Sequence, residues 1–460
     1  MKSYLRKFII VFFPLLLFFC DHSYSSEGDV DRAATISVHN IDNVHVGSGT
    51  LPVAKSNMLG NWSKIPLFEK NGIEPKLIWT SDLLGNPIGG VHQAFREFDN
   101  LFLGVNVNLE QFMGAPKTIF YTSMSQRSGK SLTNLDIKNI FNVSQVCCGP
   151  TYRLVDLYLE QPFFADRFNV RVGRLAAGDE FLSSPIYWLF VQNGIDGNPV
   201  GIFKNAPGMS AYPRATWAVR TTFKTQPEKF YLMGGLFNGD PTLGENSKHG
   251  VDFSMRGPLF AVAELGYRRN RSQDSTGLPG NYKLGVYHDH NSYLSFLYDE
   301  AGGLAPVTGL PPLTIRGNTG YYVLMDQMFY REGGAGTHQG ATAFFSFLIA
   351  PDESISNMPI FINGGVIYEG LFPSRPNDVT GLAVVYGSLS HDLRQAQFLK
   401  SQLGIPIGVQ YFETVIEAIY TIQATGWLKI QPDLQYIIHP GGTGTIPNAL
   451  VLGAQVAVTI

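Results

Sequence analysis

Apolar and polar residues alternate strictly along residues 428–438, near the end of the chain. Apolar side chains stand at Leu428, Ile430, Leu434, Tyr436 and Ile438, and polar ones stand between them at Lys429, Gln431, Asp433 and Gln435. Successive side chains of a strand point to opposite faces, so the pattern predicts a β-strand with one apolar and one polar face. The apolar face could pack on the core of a soluble sheet, or it could meet lipid around a polar lumen.

The same alternation recurs in segments of about ten residues. The clearest cases are residues 153–161, 167–173, 261–269, 282–289, 415–423 and 448–460. In each segment the charged residues avoid the apolar face, and aromatic residues such as Phe168, Tyr267, Tyr420 and Tyr436 stand near segment ends. A secreted β-sandwich or propeller would also alternate, but its outer face would be rich in Lys and Glu. We therefore predict an all-β fold, a transmembrane antiparallel β-barrel.

The composition supports a surface that is partly in contact with lipid. Asp, Glu, Lys and Arg make up only 15% of the 460 residues, against about 25% in typical soluble domains. Aromatic residues reach 13%, and the formal net charge is −3, so nothing in the charge balance points to a nucleic-acid partner. Outer-membrane lipid is the partner that this composition predicts.

The N-terminus predicts export. The basic stretch "MKSYLRK" precedes the apolar stretch "FIIVFFPLLLFFC", and small residues follow at Ser23 and Ser25. The apolar stretch is shorter than the roughly 20 residues that a transmembrane helix needs. We interpret residues 1–25 as a cleaved signal peptide, residues 26–58 as an N-terminal leader, and residues 59–460 as the barrel. The predicted location is the bacterial outer membrane, crossed many times by strands.

Three features that could indicate other chemistry are weak. Cys147 and Cys148 are adjacent and have no zinc-site spacing. His288 and His290 share one face of a predicted strand, but no third metal ligand is evident. The neighbouring carboxylates of residues 179–180 diverge, whereas a glycosidase pair faces across roughly 5–9 Å from separate segments. We therefore expect no metal, no cofactor and no enzymatic activity.

The middle of the chain resembles a known family. The stretch "GRLAAGDEFLSSPIYWLFVQNGIDGNP" (173–199) is similar to a signature of the carbohydrate-selective porins, the OprB family. Further similar stretches follow in order, among them "GNWSKIPLFEKNGIEP" (60–75), "AYPRATWAVR" (211–220), "LPGNYKLGVYHD" (278–289) and "IQPDLQYIIHPGGT" (430–443). The resemblance covers residues 59–460. It implies a barrel of 16 strands through which small carbohydrates diffuse passively into the periplasm.

Two functional alternatives remain open at this stage. The first is a sugar-favouring porin, and the second is a structural or adhesive barrel whose pore is plugged or non-selective. Most predicted hairpins need only short connections, which favours an open pore, and the Gly- and Pro-rich residues 289–317 are expected to form a long external loop. The oligomeric state is not determined by the sequence, and a monomer is favoured.

A sugar-selective lumen needs hydrogen-bonding side chains and a stacking surface at its narrowest point. The stretch "GDEFLSSPIYW" (178–188), within the motif of residues 173–199, is expected to form a loop folded into the pore. The candidates for the constriction are Asp179, Glu180, Tyr187, Trp188, Arg171 and Arg220. The candidates for the remaining lumen wall, taken from the strand alternation, are Arg153, Asp156, Tyr158, Glu160, Glu264, Arg268, Lys283, Glu417 and Asp433. For each of these residues the alternative is a wall position that forms ion pairs without affecting selectivity.

Overall fold

Sixteen antiparallel strands form a single closed barrel in the computed structural model, which describes residues 56–146, 151–225, 229–270, 276–334 and 337–460. The strands are β1 (Ile73–Ile88), β2 (Phe95–Asn108), β3 (Ile119–Gly129), β4 (Thr151–Phe163), β5 (Phe168–Leu175), β6 (Thr216–Lys224), β7 (Phe230–Asn238), β8 (Leu259–Arg269), β9 (Gly280–Asp299), β10 (Pro312–Arg331), β11 (Gly340–Ile349), β12 (Ile360–Glu369), β13 (Val379–Ser388), β14 (Phe412–Gln423), β15 (Leu428–Ile438) and β16 (Ala449–Thr459). The predicted fold class and strand number are confirmed.

Pairing of the first and last strands closes the barrel. Each strand pairs with its sequence neighbour, and β1 also pairs with β16 in a register that sets Trp79 opposite Val458 and Asp82 opposite Gln455. Closure leaves no strand edge exposed, which is what lipid requires of a sheet because unpaired backbone groups there find no water.

The helices in the described ranges are short; the first precedes β1, and the others lie in connections between strands. They are α1 (Pro66–Asn71), α2 (Leu109–Met113), α3 (Ala177–Glu180), α4 (Gly201–Asn205), α5 (Ala305–Thr308) and α6 (His391–Gln402). The part of the chain that the structure describes also contains five 3-10 turns (Trp62–Lys64, Tyr187–Leu189, Pro241–Gly244, Asn246–Lys248 and Pro440–Gly442) and one π turn (Thr133–Ile137). Among the described residues, no helix has the length and apolar character needed to cross a membrane.

The alternation in β15 separates the inside of the barrel from the outside. Leu434 points outward and is 41% exposed, whereas the next residue, Gln435, points into the lumen and is fully buried. The other polar residues of this strand are also buried on the lumen side. The apolar face is therefore the outer surface of the barrel and the polar face lines its interior, as in outer-membrane barrels.

The strand phase departs from strict alternation in β4. The register between β3 and β4 shifts between Thr122 and Met124. As a result Val155 and Asp156 are both buried, although alternation predicts Val155 on the outer face. A bulge of this kind inserts one extra residue and reverses the phase on one side of it.

The expectation of a long external loop over residues 289–317 is wrong. Strand β9 continues to Asp299 and β10 starts at Pro312, so the two form a hairpin that extends beyond its neighbours. Pairing between β8 and β9 ends at Asp289, whereas β9 and β10 stay paired to Pro312 and Asp299. The Gly- and Pro-rich sequence is confined to the tip. The predicted signal peptide and most of the leader lie outside the described residues, as do Cys147 and Cys148.

The two ends of the barrel differ. One end of the barrel carries the short turns, the start of β1 and the end of β16. The other end carries the long connections 130–150, 176–215, 239–258 and 389–411. Short turns face the periplasm in outer-membrane barrels. Outward aromatic pairs line the short-turn end, including Phe230–Tyr267 at 4.9 Å and Tyr267–Tyr282 at 6.0 Å between ring centroids. These rings form the girdle expected at a membrane boundary.

Candidate pore constriction

The long connection between β5 and β6, residues 176–215, folds into the lumen and is called here the pore loop. Its apolar side chains are almost completely buried: Phe181, Leu182, Ile186, Leu189, Phe190, Val191, Ile195 and Ile202. They share one apolar core with inward residues of the far wall, where Phe190 lies 5.4 Å from Phe344 of β11 between ring centroids. Burial of this apolar surface holds the pore loop in the lumen.

Polar side chains of the far wall bind the backbone of the pore loop. The Glu417 carboxylate in β14 accepts hydrogen bonds from the N–H groups of Val191 at 2.7 Å and Gln192 at 3.2 Å. Gln431 in β15 donates to the Leu189 carbonyl at 2.9 Å, and Asn363 in β12 donates to the Gly194 carbonyl at 2.9 Å. The lumen-facing polar residues of these strands therefore satisfy backbone groups that leave water when the loop enters the barrel.

A second connection also enters the lumen. In the described part of the β3–β4 loop, residues 130–146, the N–H groups of Ile140 and Phe141 donate to the carboxylate of Glu413 in β14. Gln435 in β15 donates to the Val143 carbonyl at 2.8 Å. Polar side chains of β12, β14 and β15 therefore hold both inserted loops.

Removal of the Glu417 carboxylate is expected to loosen the pore loop. Glu417→Ala leaves two buried N–H groups without acceptors, at a cost of about 1–3 kcal/mol, and single-channel current should become noisier. Glu417→Gln keeps one amide oxygen as an acceptor and should stay close to wild type. Equal noise in wild type and Glu417→Ala in planar bilayers would contradict this role.

Four charged side chains join the strand wall to the pore loop, and we call them the constriction cluster: Glu160, Arg171, Glu180 and Arg220. Arg171 in β5 donates to Glu160 in β4 at 2.8 Å and to Glu180 in the pore loop. Arg220 in β6 donates to the same Glu180 at 2.9 Å. All four side chains are at most 15% exposed, so the pairs lie where water is scarce and the hydrogen-bond geometry is held.

Aromatic and acidic residues surround this cluster. The Arg171 guanidinium lies 5.2 Å from the Tyr158 ring centroid, and Tyr158 lies 5.2 Å from Tyr121 between ring centroids. Asp156 accepts a hydrogen bond from Ser123 at 2.6 Å. Burial, together with the nearby carboxylates of Asp156 and Glu180, raises the pKa of the Asp179 carboxyl well above its usual range.

Two neighbouring aromatic candidates have different surroundings. Tyr187 is 1% exposed and packs edge-on against Phe344 at 6.0 Å, so it belongs to the apolar core and not to an aqueous surface. Trp188 keeps partial exposure. A Cβ built on Gly197 would lie 3.5 Å from the Trp188 ring and from the Gln145 amide nitrogen, which places Trp188 where the two inserted loops meet.

Glu264 in β8 is an anchor with several partners. It accepts hydrogen bonds from the Leu182 N–H at 3.1 Å, the Tyr231 hydroxyl at 2.7 Å and the Tyr322 hydroxyl at 3.0 Å. Each tyrosine ring lies flat over a glycine of an adjacent strand, since a Cβ on Gly266 or Gly285 would come within 2.0 Å of the ring. Glycine at these two positions therefore lets the rings reach Glu264.

The remaining lumen candidates have inward positions with distinct partners. Lys283 donates to the Ser183 carbonyl at 2.8 Å and lies 3.7 Å from Glu264. The Arg268 guanidinium is 4.8 Å from the Tyr231 ring centroid. Arg153 donates to Gly244 and Asn246 of the β7–β8 loop, both at 3.0 Å. Asp433 accepts from Gln435 at 2.8 Å.

Sequence reasoning missed Glu413, although its position carried a signal. Glu413 lies four residues before Glu417 on the same face of β14, so both point inward. Its carboxylate also accepts the Gly441 N–H at 2.8 Å. This buried carboxylate accepts hydrogen bonds from three backbone N–H groups and so helps to hold the inserted loop in place. The alternation of β14 would have identified Glu413 as an inward-facing residue.

No metal site is evident in the described ranges, where no group of three or more His, Cys, Asp or Glu side chains is arranged to hold an ion. The His288 and His290 rings are 4.4 Å apart between centroids. His288 interacts with the Thr319 hydroxyl at 2.7 Å and His290 with the Leu259 carbonyl at 3.0 Å.

Comparison with known proteins agrees with this architecture. Residues 92–460 match the family described as carbohydrate-selective porin, OprB family. The chain is 29% identical to Porin B of Pseudomonas aeruginosa, across 87% of this chain and 90% of that protein. It is 23% identical to the putative porin QuiX of Acinetobacter baylyi, across 86% and 91%.

A solved structure has the same barrel architecture. The high-pH structure of Pseudomonas putida OprB superimposes with a TM-score of 0.82 at 26% identity, covering 88% of this chain and 99% of that one. The closed sixteen-stranded barrel, the inward polar faces and the family match over most of the chain point to one conclusion. The chain belongs to the carbohydrate-selective porin family OprB, and it is a sugar porin of the bacterial outer membrane.

Proposed function

We propose that the constriction cluster is the sugar-selecting element of this porin. The observation that carries the proposal is the double bridge of Glu180, which binds Arg171 and Arg220 from the strand wall. The bridge joins the strand wall to the pore loop, so a solute that passes along this junction meets these side chains.

The charges of the cluster suit a neutral solute. Two arginines and two glutamates compensate one another, so neither sign of ion is strongly attracted. Arginine offers five N–H donors and carboxylates offer acceptors, whereas each sugar hydroxyl both donates and accepts. A sugar can therefore exchange hydrogen bonds with the cluster as it passes.

Aromatic surfaces lie beside these polar groups. The Tyr158 ring beside Arg171 is buried, whereas Trp188 is partly exposed at the contact of the two loops and offers a stacking surface. Stacking on an aromatic ring contributes on the order of 1 kcal/mol, by analogy with bases on aromatic side chains. Such a weak site favours entry without trapping the solute, which is what conduction requires.

Liposome swelling in a series of mono- and disaccharides tests the function directly. Wild-type protein should admit monosaccharides faster than disaccharides, because the inserted loops narrow the lumen. Absence of swelling with any sugar would instead favour a plugged structural or adhesive barrel.

Trp188→Ala should lower the sugar swelling rate while ion conductance stays level or rises, since the change removes a stacking surface and widens the path. The matched control is Tyr187→Phe, in the same turn but within the apolar core, which should leave sugar flux unchanged. Equal sugar flux in Trp188→Ala and wild type would remove Trp188 from the sugar path.

We further infer a passive channel without catalytic turnover that works as a monomer in outer-membrane lipid. Because β1 closes on β16 within one chain, a single chain is sufficient to form the pore. Mass measurement of the detergent-solubilised protein, corrected for bound detergent, should give the mass of one chain, and a multiple of it would contradict this inference.

A further inference from the structure

A groove of about 870 Å³ runs over the outward face of β12–β16 near the short-turn end. Its floor contains Thr380 and Ala418, and its walls include Leu382 and Leu434. In the sheet register Ala418 lies between Leu382 on one side and Leu434 on the other, so a small residue stands between two large ones. The groove is therefore built into the outer wall, and its volume falls in the range of small-molecule sites.

The β12–β13 turn, residues 370–378, closes the periplasmic end of the groove. Its Leu371 lines the groove, and both Leu371 and Phe372 are exposed. Phe372 packs edge-on against Tyr420 of β14 at 5.7 Å between ring centroids. Exposed apolar side chains beside a girdle tyrosine place this turn at the membrane boundary.

The same turn carries a positive charge at the boundary. Arg375 donates to Asp378 at 2.8 and 3.1 Å and to the Gln423 carbonyl at 3.3 Å, yet its side chain remains 40% exposed. The Asp378 carboxylate also accepts the Tyr420 hydroxyl at 2.8 Å and the Gln423 N–H at 3.0 Å. These neutral donors also stabilise the Asp378 carboxylate, and the exposed edge of the Arg375 guanidinium can donate to a further anion.

We propose that the groove and Arg375 together bind one glycerophospholipid of the periplasmic leaflet. An acyl chain would lie over Ala418 between the two leucines, and the phosphate would meet the Arg375 guanidinium. Arginine suits phosphate because its planar group donates several parallel hydrogen bonds. Basic side chains beside an apolar membrane surface are a general means of recognising lipid phosphates.

A second outward groove provides an internal control. It lies over β6–β9, has a volume of about 400 Å³, and is lined by small residues that include Gly234, Ala261 and Ala263. Arg375 does not line the first groove itself, but Leu371 of the turn that carries Arg375 does, whereas the second groove has no lining residue from that turn. It shares the apolar character of the first groove without the cation, so the two grooves separate general lipid contact from recognition of a phosphate.

The experiment uses delipidated full-length porin in detergent micelles, titrated with phosphatidylglycerol and followed by native mass spectrometry. Wild type should retain one lipid molecule. Ala418→Leu fills the floor of the first groove and should weaken binding about tenfold, whereas Ala263→Leu in the second groove should leave it unchanged. Both changes are apolar and face lipid, so both proteins should fold.

Arg375→Gln should weaken phosphatidylglycerol binding about tenfold, the factor that loss of one charge-assisted hydrogen bond would give. It should have no effect on diacylglycerol with the same acyl chains, which lacks the phosphate, and wild type should bind diacylglycerol as weakly as the variant does. Inorganic phosphate alone should not compete at micromolar concentration.

Two outcomes would overturn the proposal. One is equal retention of phosphatidylglycerol by Ala418→Leu, Ala263→Leu and wild type. The other is equal binding of diacylglycerol and phosphatidylglycerol by wild type, which would leave no role for the phosphate. If Arg375→Gln does not fold, these two comparisons still test the proposal, because neither of them requires that variant.

Discussion

Replacement of Arg171 by methionine is expected to lower sugar uptake and barrel stability together. Arg171 binds Glu160 and Glu180, and all three side chains are at most 15% exposed. Without the guanidinium, two carboxylates remain in a nearly water-free site, and breaking a buried pair in this way costs about 3–5 kcal/mol. The cluster also gains a net negative charge, so the channel should become more cation-selective.

The measurements are liposome swelling in a monosaccharide, the reversal potential in a salt gradient, and urea unfolding in lipid vesicles. Lys117→Met is the matched control, because Lys117 and Asp166 form an ion pair whose side chains are 58% and 63% exposed. Exposed pairs of this kind contribute little, so the control should behave as wild type in all three measurements.

A double variant separates charge from packing in the same cluster. Adding Glu180→Gln to Arg171→Met removes the carboxylate that Arg171 and Arg220 share and returns the net charge of the cluster to zero, so part of the stability and the original ion selectivity should return. If Arg171→Met alone leaves both the reversal potential and the sugar flux unchanged, the cluster does not line the constriction. The path would then have to pass elsewhere in the lumen.

Leu265→Arg is expected to impair insertion of the barrel into lipid. Leu265 lies one residue from the middle of β8, is 50% exposed, and pairs with the outward leucines Leu232 and Leu284. Arginine on the lipid face at the bilayer midplane costs about 2–4 kcal/mol. The expected result is a smaller fraction of folded protein in phospholipid vesicles, read as heat-modifiable migration on a gel.

Leu294→Arg tests whether the loss of folded protein depends on how deep in the membrane the arginine is placed. Leu294 is also exposed on β9, but it lies five residues beyond Asp289, where pairing with β8 ends. The protruding hairpin places it outside the lipid, so the charge should be tolerated. Equal loss of folding for both variants would contradict the assignment of the outer face to lipid.

Local pattern predicted the faces of the strands well because strand alternation depends only on neighbouring residues. Leu434 outside and Gln435 inside follow directly from a period of two. The same rule failed at Val155, where a bulge against β3 adds one residue to β4. A bulge depends on the partner strand, which the local sequence does not contain. The number of strands came from the family resemblance and not from the alternation.

The candidate site was predictable in composition but not in arrangement. Four of the named charged residues, Glu160, Arg171, Glu180 and Arg220, meet in one cluster. Their meeting depends on the course of the pore loop, which follows from packing against strands more than a hundred residues away. For the same reason the sequence treated Tyr187 and Trp188 alike, whereas packing buries one and leaves the other partly exposed.

The sequence by itself determined a chain of alternating strands with an apolar outer face, because hydrophobic periodicity reflects which side of each strand meets lipid. The family resemblance added the sugar class of the solute. Only the tertiary structure decided that Glu413 and Glu417 hold the two inserted loops, and that Arg375 stands beside a lipid-facing groove. These relations join residues that are far apart in the chain, and they form only when closure of β1 on β16 brings the loops and the wall together.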